Sequence, residues 1–580
     1  MKKKKILKIV ISIIILIVVL ISVIFYFDID KRISTIGGTE DEWLYDEEMS
    51  CDFNGFTAYD CSGAAASSKS IFGGASMTSE STLGYSTGGA KNVENFRKNI
   101  ENGYFPISTD ITYNGLFYDY SFDTGNDSVK SNDLFYPSYS TAISKDIISG
   151  EKEYYMSVGL NSNIKESDFS RKKLNLVVVL DNSGSMESGF DSYYYDSNFF
   201  KANNKSKMQV ANKAVNTLID QLNKDDRFGM IVFNSEAYIA KNLKSIDDTN
   251  VYALKEHILD IKTNGGTNFE AAYKKATELF DDIDQNEYEN RIIVITDAMP
   301  NIGSTNKSDL MESIEENSKK DIYTTFIGVG VDFNTELIES LGTVSGANYY
   351  SVHNEKEFEK QMGEEFNFMV TPLVFDLELN FESEDYELEA IYGTDAADKS
   401  SGNIMYVNTL FPSASNEDGE VKGGIILLKL NKITDSKTGK ISLSVSYKDK
   451  ENKKHNSNQV VNFKDSKNEF YDNTGIRKGI VLTRYANLMK NWILYERSDS
   501  DNKFLITSDT GIVDCGYDDD FIGRILGEQE RSSVKLSVSE EYEELFEKMR
   551  LYIQSEIDEV QDKKLEQEID ICKVLENYNK

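Results

Sequence analysis

The sequence predicts an α/β protein in which a doubly wound, mainly parallel sheet is inserted in or lies next to a β-sandwich. A helical C-terminal region and one N-terminal transmembrane helix complete the prediction. In residues 171–370 short apolar runs alternate with helical patterns, which is typical of a parallel sheet covered by helices on both faces. In residues 371–465 the apolar period changes to two, as in antiparallel strands. In residues 466–580 the apolar spacing is helical.

The N-terminal residues predict export and anchoring in a membrane. Lysines occupy positions 2–5, and the apolar run over residues 6–27 contains one charged residue, Lys8. This run is long enough to cross about 30 Å of hydrocarbon. The lysines predict that residues 1–5 form a cytoplasmic stub and that the bulk of the chain is extracellular. A cleaved signal peptide is the alternative, but no small-residue cleavage site follows the run.

Composition excludes some classes of partner and of scaffold. The 580 residues have a formal net charge of −34, which argues against nucleic-acid binding because neutralising phosphates requires a basic surface. The chain has 4 cysteines, far too few for a disulfide scaffold. In an exported protein Cys51 and Cys61 could close a small loop, and the sequence leaves this pairing open.

Residues 28–170 precede the α/β unit and divide into two predicted segments. Residues 28–90 are acidic at first and then rich in Ser, Gly, Ala and Thr, which predicts a flexible tether. Residues 91–170 begin with a predicted helix over 92–102 and continue with short aromatic and β-branched runs typical of strands. If these strands belong with those after residue 371, the α/β unit is an insertion into one β domain. The sequence alone does not decide this.

The α/β unit, residues 171–370, contains five predicted strands with amphipathic helices between them. The strands are residues 174–180, 228–233, 292–296, 322–329 and 349–352. The first is a continuous apolar run, which predicts a strand buried on both faces in the middle of the sheet.

Residues 371–465 are predicted to form an antiparallel sandwich, since Phe375, Leu377, Leu379 and Phe381 alternate with polar residues. In the helical C-terminal region, residues 466–580, two amphipathic stretches are predicted. The apolar positions on their faces are Val481, Tyr485, Leu488 and Trp492 in the first, and Tyr542, Leu545, Met549 and Tyr552 in the second.

Oxygen-bearing side chains cluster where the strands of the α/β unit end. Asp181, Ser183 and Ser185 follow the first strand, Thr267 lies in a Gly-Gly-Thr-Asn loop that opens a helix, and Asp297 follows the strand over 292–296. The carboxyl ends of parallel strands are where open α/β sheets bind ligands. Carboxylates and hydroxyls without cysteine or histidine suit a hard divalent cation such as Mg²⁺, Mn²⁺ or Ca²⁺.

This pattern resembles the von Willebrand factor A (VWA) domain with a metal-ion-dependent adhesion site. The family's Asp-x-Ser-x-Ser, Thr and Asp elements match Asp181, Ser183, Ser185, Thr267 and Asp297 in the family's order. The resemblance implies Mg²⁺, or a similar cation such as Mn²⁺ or Ca²⁺, held partly through waters, with Ser183, Ser185 and often Thr267 as direct ligands. It also implies an open coordination position that a carboxylate of a protein partner fills. Ala298 departs from the glycine that many members have there.

A looser resemblance covers residues 92–497. The helix over 92–102, the inserted placement and the segment over 484–492 are similar to bacterial membrane-anchored VWA proteins of the calcium-activated chloride channel-like group. A channel activity does not carry over, since the sequence shows one membrane span.

A tyrosine-rich stretch leaves the first metal loop directly and is predicted to lie at the rim of the site. It contains Tyr193, Tyr194 and Tyr195, and exposed aromatic residues are favoured anchors in binding surfaces. The alternative is a loop that packs its tyrosines on its own domain.

The sequence does not predict an enzyme. A nucleophilic Ser183 or Ser185 would need a base within reach, and the histidines are His257 on a helix, His353 after the last strand and His455 in a β turn. His353 is interpreted as a surface residue. Two hypotheses follow: a membrane-anchored, metal-dependent protein-binding module of the adhesion type, or a structural or assembly component of the cell envelope that acts without metal-dependent capture.

Overall fold

The structure is a computed structural model, and it describes residues 38–46, 82–125, 133–189, 205–281, 283, 285, 287–297, 307–330, 340–394, 404–416, 418–497 and 535–579. Several sequence predictions fall outside these ranges. They are the stub and anchor over residues 1–27, the tyrosine rim at Tyr193, Tyr194 and Tyr195, Ala298, and the possible Cys51–Cys61 pair. Within the described ranges no helix is both long and apolar enough to cross a bilayer.

Strands and helices are numbered in chain order. The strands are β1 (Thr82–Thr87), β2 (Gly89–Lys91), β3 (Ser121–Phe122), β4 (Tyr136–Lys145), β5 (Lys152–Lys165), β6 (Lys173–Asp181), β7 (Arg227–Phe233), β8 (Ala237–Ser245), β9 (Tyr288–Thr296), β10 (Ile322–Val329), β11 (Asn348–Val352), β12 (Val374–Ser383), β13 (Tyr386–Tyr392), β14 (Ile404–Ser413), β15 (Val421–Lys422), β16 (Ile425–Lys432), β17 (Thr438–Lys448), β18 (Lys454–Lys464) and β19 (Phe470–Tyr471).

The helices are α1 (Glu94–Glu101), α2 (Tyr113–Tyr118), α3 (Lys207–Ile219), α4 (Val251–Leu259), α5 (Phe269–Glu278), α6 (Lys307–Ser318), α7 (Glu355–Met362), α8 (Phe366–Met369), α9 (Thr474–Arg497), α10 (Glu540–Val560) and α11 (Glu566–Glu576).

The α/β unit is a seven-stranded sheet in the order β2-β11-β10-β9-β6-β7-β8. The pairs are parallel except β7–β8, which is antiparallel. Alternate residues of the central strand β6 enter two apolar clusters, with Leu176 and Val178 on one face and Val177 and Val179 on the other. Helix α3 packs on the first face and helix α5 on the second. The predicted doubly wound fold is therefore confirmed.

The second large sheet is antiparallel and has ten strands, with the path β13-β16-β5-β1-β14-β12-β17-β18, with β4 beside β5 and β19 beside β4. Strands from before the α/β unit pair directly with strands from after it, β1 with β14 and β5 with β16. The α/β unit is thus an insertion into one β domain. The sheet is continuous and curls so that Tyr386 of β13 stacks on Phe463 of β18, with ring centroids 5.1 Å apart. The two separate sheets of the predicted sandwich are not confirmed.

Part of the predicted flexible tether is packed against the two sheets. β1 lies within the ten-stranded sheet, and β2 adds a parallel edge strand to β11. Residues 38–46 lie along β8, where Leu44 N–H donates to Ala240 O (2.9 Å). Trp43 stacks on His257 with a centroid separation of 5.3 Å. The tether prediction is wrong for residues 38–46 and 82–90 because backbone pairing and single aromatic contacts order them, and composition does not reveal either.

The C-terminal residues form a helical body against the ten-stranded sheet. Helix α9 is covered by α10 and by the sheet, and Trp492 at its core is fully buried beside Phe546. Cys572 of α11 is a buried free thiol. Helix α11 returns to α1, which brings the C-terminal end of the described chain next to the first helix.

Candidate metal site

Strand β6 delivers Asp181 to the carboxyl edge of the parallel sheet. Its hydrogen-bonded register with β7 continues as far as Asp181 opposite Phe233, and Asn182 N–H then donates to Phe233 O (2.9 Å). The Asp181 carboxylate is held at both oxygens: Oδ1 accepts from Ser183 N–H (2.8 Å) and Oδ2 accepts from Thr296 Oγ1 (2.6 Å). The strand ends therefore fix the orientation of the first predicted ligand.

The two serine hydroxyls connect the Asp181 loop to the second carboxylate. Ser183 Oγ lies 3.1 Å from Ser185 Oγ, and Ser185 Oγ donates to Asp297 Oδ1 (2.8 Å). Asp297 follows β9, the neighbour of β6 in the sheet. Asp181, Ser183, Ser185 and Asp297 are thus joined in one chain of short polar contacts.

The loop that carries Thr267 is tied to the Asp181 loop through the backbone. Asn264 N–H donates to Asn182 O (2.7 Å), and Gly184 N–H donates to Gly265 O (3.1 Å). Gly265 has a φ of +69°, and a Cβ atom there would lie 3.0 Å from Ser235 Oγ, so this close approach requires glycine. Thr267 is buried on this loop at 3% exposure. The structure places all five predicted residues at the same sheet edge.

Burial and like charge act together on the carboxylates. Asp181 is 0% exposed and Asp297 is 1% exposed. Burial, with the neighbouring negative charge of Asp297, raises the pKa of Asp181 to about 7. Two buried carboxylates in one cluster call for positive charge nearby.

Lys207, which sequence reasoning missed, places a positive charge in contact with this cluster. Its Nζ lies 2.9 Å from Asp297 Oδ2, and both side chains are completely buried. One signal in the sequence could have identified it. Lys207 is the first residue of α3, and a lysine is unusual there because the positive end of the helix dipole disfavours a cation.

Tyr45 is a second residue that sequence reasoning missed. Asn182, inside the Asp181 loop, donates through Nδ2 to Tyr45 Oη (3.1 Å) and to Lys262 O (2.9 Å). Tyr45 belongs to the segment 38–46 and is buried against the α/β unit. No sequence signal identifies it, because the contact joins residues 137 positions apart.

The donor set fits a hard divalent cation. Its side chains offer only oxygen atoms, from two carboxylates and from hydroxyls, and these are the ligands that Mg²⁺, Mn²⁺ and Ca²⁺ accept. No group of three or more histidine, cysteine, aspartate or glutamate side chains in the described part of the chain is placed to hold a metal ion. The candidate ligands at this edge are hydroxyls together with the carboxylates of Asp181 and Asp297.

The histidines have other contacts. His257 pairs with Asp41, and His455 pairs with Asp449. His353 bonds Ser351 through Nε2 (2.8 Å) and is 3% exposed. The surface position predicted for His353 is wrong, because the residues after β11 are packed inside the molecule.

Comparison with known proteins agrees with this fold. A model of the von Willebrand factor type A domain matches residues 176–299. Inter-alpha-trypsin inhibitor heavy chain H2 of Homo sapiens is 25% identical over 214 residues, covering 36% of this chain and 21% of that protein. Heavy chain H4 of Homo sapiens is 27% identical over 207 residues, covering 34% and 20%. The chain spans about a fifth of the length of these relatives.

Two solved structures of VWA proteins are similar to this chain at low sequence identity. A von Willebrand factor type A protein from Catenulispora acidiphila is 15% identical with a TM-score of 0.36, covering 62% of this chain and 81% of its own. The ArnB paralog VWA2 from Sulfolobus acidocaldarius is 14% identical with a TM-score of 0.34, covering 77% and 98%.

The doubly wound sheet with polar loops at its carboxyl edge defines a Rossmann-like α/β domain. The match over residues 176–299 then identifies that domain: this chain contains a von Willebrand factor type A domain. The adhesion-type metal site and the chloride channel-like group stay predictions.

Proposed function

We propose that this VWA domain binds a protein ligand outside the cell through a divalent cation, most simply Mg²⁺, at the Asp181 site. VWA domains generally serve protein binding, and the family match supports that part of the proposal. The single observation that carries the metal is the convergence of Asp181, Ser183, Ser185 and Asp297 in contacts of 2.8–3.1 Å.

The hydroxyl and carboxylate side chains would have different roles in holding the cation. The hydroxyls of Ser183, Ser185 and Thr267 are neutral donors suited to direct ligation, while Asp181 and Asp297 supply negative charge. The bound cation would supply positive charge and an open coordination position for a carboxylate of the partner. The backbone ties between the two loops hold these side chains in place before a cation arrives, which limits the ordering cost of binding.

The proposal includes the location of the domain. The apolar run over residues 6–27 and the lysines before it support a single-pass anchor with a cytoplasmic N-terminus. Tyr193, Tyr194 and Tyr195, which lie outside the described residues, are included in the proposal from the sequence alone as candidate ligand-contact residues. We propose no catalytic activity, since Ser185 contacts Asp297 and Ser183, while the three histidines are bonded elsewhere.

Asp181→Ala tests the cation site. A cation that binds only the folded chain at a hundred times its Kd stabilises it by about 2.7 kcal/mol, so Mg²⁺, Mn²⁺ or Ca²⁺ should raise the melting temperature of the full-length chain in detergent. We expect Asp181→Ala to abolish this shift. The matched control is Asp225→Ala, the same change at a side chain that is 72% exposed, which should keep the shift. The metal proposal fails if wild type shows no shift, or if Asp181→Ala retains it.

Partner capture separates the proposal from its alternative. Immobilised full-length chain is incubated with envelope extracts, with and without a chelator. Capture that the chelator and Asp181→Ala both abolish supports metal-dependent binding. Capture that is indifferent to both favours a structural or assembly role for the envelope, performed by the ten-stranded sheet and the helical body.

A further inference from the structure

Lys207 is a charged residue in a place where burial and helix polarity both oppose it. Its side chain is 0% exposed, and it is the first residue of α3, after the N-cap Ser206. Burying an ammonium group costs free energy unless it is paired, and the helix N-terminus adds an unfavourable dipole. The pairing with Asp297 offsets the cost of burial but not the unfavourable dipole. The charge at this unfavourable helix position therefore calls for an explanation at the site itself.

The pairing shows where that charge acts. Lys207 Nζ contacts Asp297 Oδ2 at 2.9 Å, while the other oxygen of the same carboxylate accepts from Ser185 Oγ at 2.8 Å. Lys207 therefore reaches the proposed metal site through Asp297, whose carboxylate lies between the lysine and the hydroxyl of Ser185. This contact crosses 90 residues of sequence and joins the first turn of α3 to the end of β9.

Formal charges give Lys207 a specific consequence. When Asp181, Asp297 and Lys207 are ionised, these three groups together carry one net negative charge, and a divalent cation changes their sum to one net positive charge. Without Lys207 the same cluster would carry two negative charges and become neutral on binding the cation. Lys207 thus opposes cation binding and favours a negatively charged ligand at the loaded site, because Coulomb energies over a few ångströms are large in a buried cluster.

We propose that Lys207 is a specificity-determining residue of this site: through Asp297 it weakens the hold on the cation and makes the loaded site select anionic, carboxylate-bearing ligands. The inference rests on the proposed cation site and explains its choice of ligand. The proposal and a purely structural role predict different effects of removing the charge. Under the proposal, the affinity for the cation rises and the affinity for the carboxylate falls. If Lys207 were only a structural contact, both affinities would fall.

Lys207→Met tests this with Mn²⁺ as the cation and acetate as the carboxylate. Full-length chain in detergent is titrated with Mn²⁺, and water-proton relaxation reports bound Mn²⁺ and its water. Acetate that replaces this water lowers the relaxation enhancement. We expect Lys207→Met to bind Mn²⁺ roughly tenfold more tightly or better, and to bind acetate roughly tenfold more weakly. Asp181→Ala gives the background from Mn²⁺ and acetate free in solution.

Lys205→Met is the matched control. It removes a lysine of the same kind two positions earlier, but Lys205 is 55% exposed and pairs with Glu355. The dissociation constants for Mn²⁺ and for acetate should both stay at their wild-type values in this variant. If Lys207→Met does not fold in the absence of cation, Lys207→Gln is measured in its place. Failure of both variants to fold, even with Mn²⁺, overturns the proposal in favour of a structural role.

Each remaining outcome also counts for or against the proposal. The proposal is overturned if Lys207→Met binds both Mn²⁺ and acetate more weakly than wild type. It is also overturned if the two affinities of Lys207→Met equal those of Lys205→Met. Absence of Mn²⁺ binding in wild type is a failure of the proposed function itself. Binding in wild type that Asp181→Ala abolishes, together with unchanged constants in Lys207→Met, is a failure of the Lys207 inference alone.

Discussion

His353 shows how burial turns one residue into a source of pH dependence. Its Nε2 contacts Ser351 Oγ, and in the described part of the chain Nδ1 is buried without a hydrogen-bond partner. Burial lowers its pKa to about 3, from a usual value of 6.5, with further contributions from Lys98 and Lys207. The native state therefore excludes a proton that the unfolded chain accepts between these two pH values.

We expect this histidine to reduce stability as the pH falls below 6.5. Over two pH units one excluded proton costs about 2.7 kcal/mol, so wild type should lose roughly that much more than His353→Gln between pH 7 and pH 4.5. Urea unfolding at the two pH values measures it. Asp181 has a raised pKa and contributes with the opposite sign, but equally in both chains. Equal pH dependence in wild type and His353→Gln would refute the expectation.

Residues of the site could be predicted where the signal is local. Asp181, Ser183 and Ser185 follow a buried strand at fixed spacing, and Thr267 and Asp297 follow turn and strand patterns that are visible in the sequence. Lys207 and Tyr45 could not be found in this way. Their contacts join residues 90 and 137 positions apart, and nothing in the intervening sequence sets those distances.

Among elements, α1 and α11 are joined by a buried ionic cluster. Arg97 of α1 has a side-chain exposure of 4% and pairs with Glu94, Asp119 and Glu568. Glu568 of α11 is completely buried and also accepts from Tyr120 Oη (2.9 Å). Because α11 is the last described helix, this cluster connects the C-terminal end of the helical body to the first described helix.

Glu568→Ala should destabilise the helical body by about 3 kcal/mol, since removing one partner leaves the buried Arg97 charge incompletely paired. Hydrogen exchange should become faster in α11 and in α1. Asp570→Ala on the same helix removes a carboxylate that is 69% exposed and should cost less than about 1 kcal/mol. Equal exchange rates in the two variants would contradict a role for the cluster in holding α11.

Elements with strong periodicity could be predicted, and short ones could not. The five predicted strands of the parallel sheet are present, and the largest boundary error is at β9, which begins at Tyr288 rather than at residue 292. β2 has three residues and β8 carries polar residues on an edge, so neither has a long apolar run. Tertiary pairing determines both.

In the whole molecule, the VWA domain contacts the ten-stranded sheet at the end of the strands opposite to the metal site. Glu289, near the start of β9, pairs with Lys450 at the turn between β17 and β18 (2.7 Å). Asp297 follows the other end of β9, and a nine-residue strand is roughly 30 Å long. The insertion thus presents the metal site away from this interface. The sequence could not predict this arrangement of the two sheets. It depends on pairs such as β5 with β16, whose strands lie on opposite sides of the whole α/β unit in the sequence.

A double-mutant cycle at Glu289 and Lys450 should show an interface that is independent of the metal site. Both side chains are largely buried, at 6% and 13% exposure, so we expect a coupling energy of about 1–3 kcal/mol in urea unfolding. The Mn²⁺-dependent melting shift should stay as in wild type. The cycle at the exposed pair Asp376 and Lys448 is the control, with less than about 1 kcal/mol expected. Loss of the Mn²⁺ shift in Glu289→Ala would show that the two ends are coupled.

The docking of residues 38–46 along β8 has a consequence for how copies of this protein behave together. β8 is the outermost strand on its side of the seven-stranded sheet, and an exposed strand edge offers unpaired amide and carbonyl groups on which another chain can add a strand. Leu44 takes one of those carbonyls, and Glu42 pairs with Lys244 on the same edge. The segment between the predicted anchor and the domain therefore covers the edge at which neighbouring molecules would otherwise aggregate.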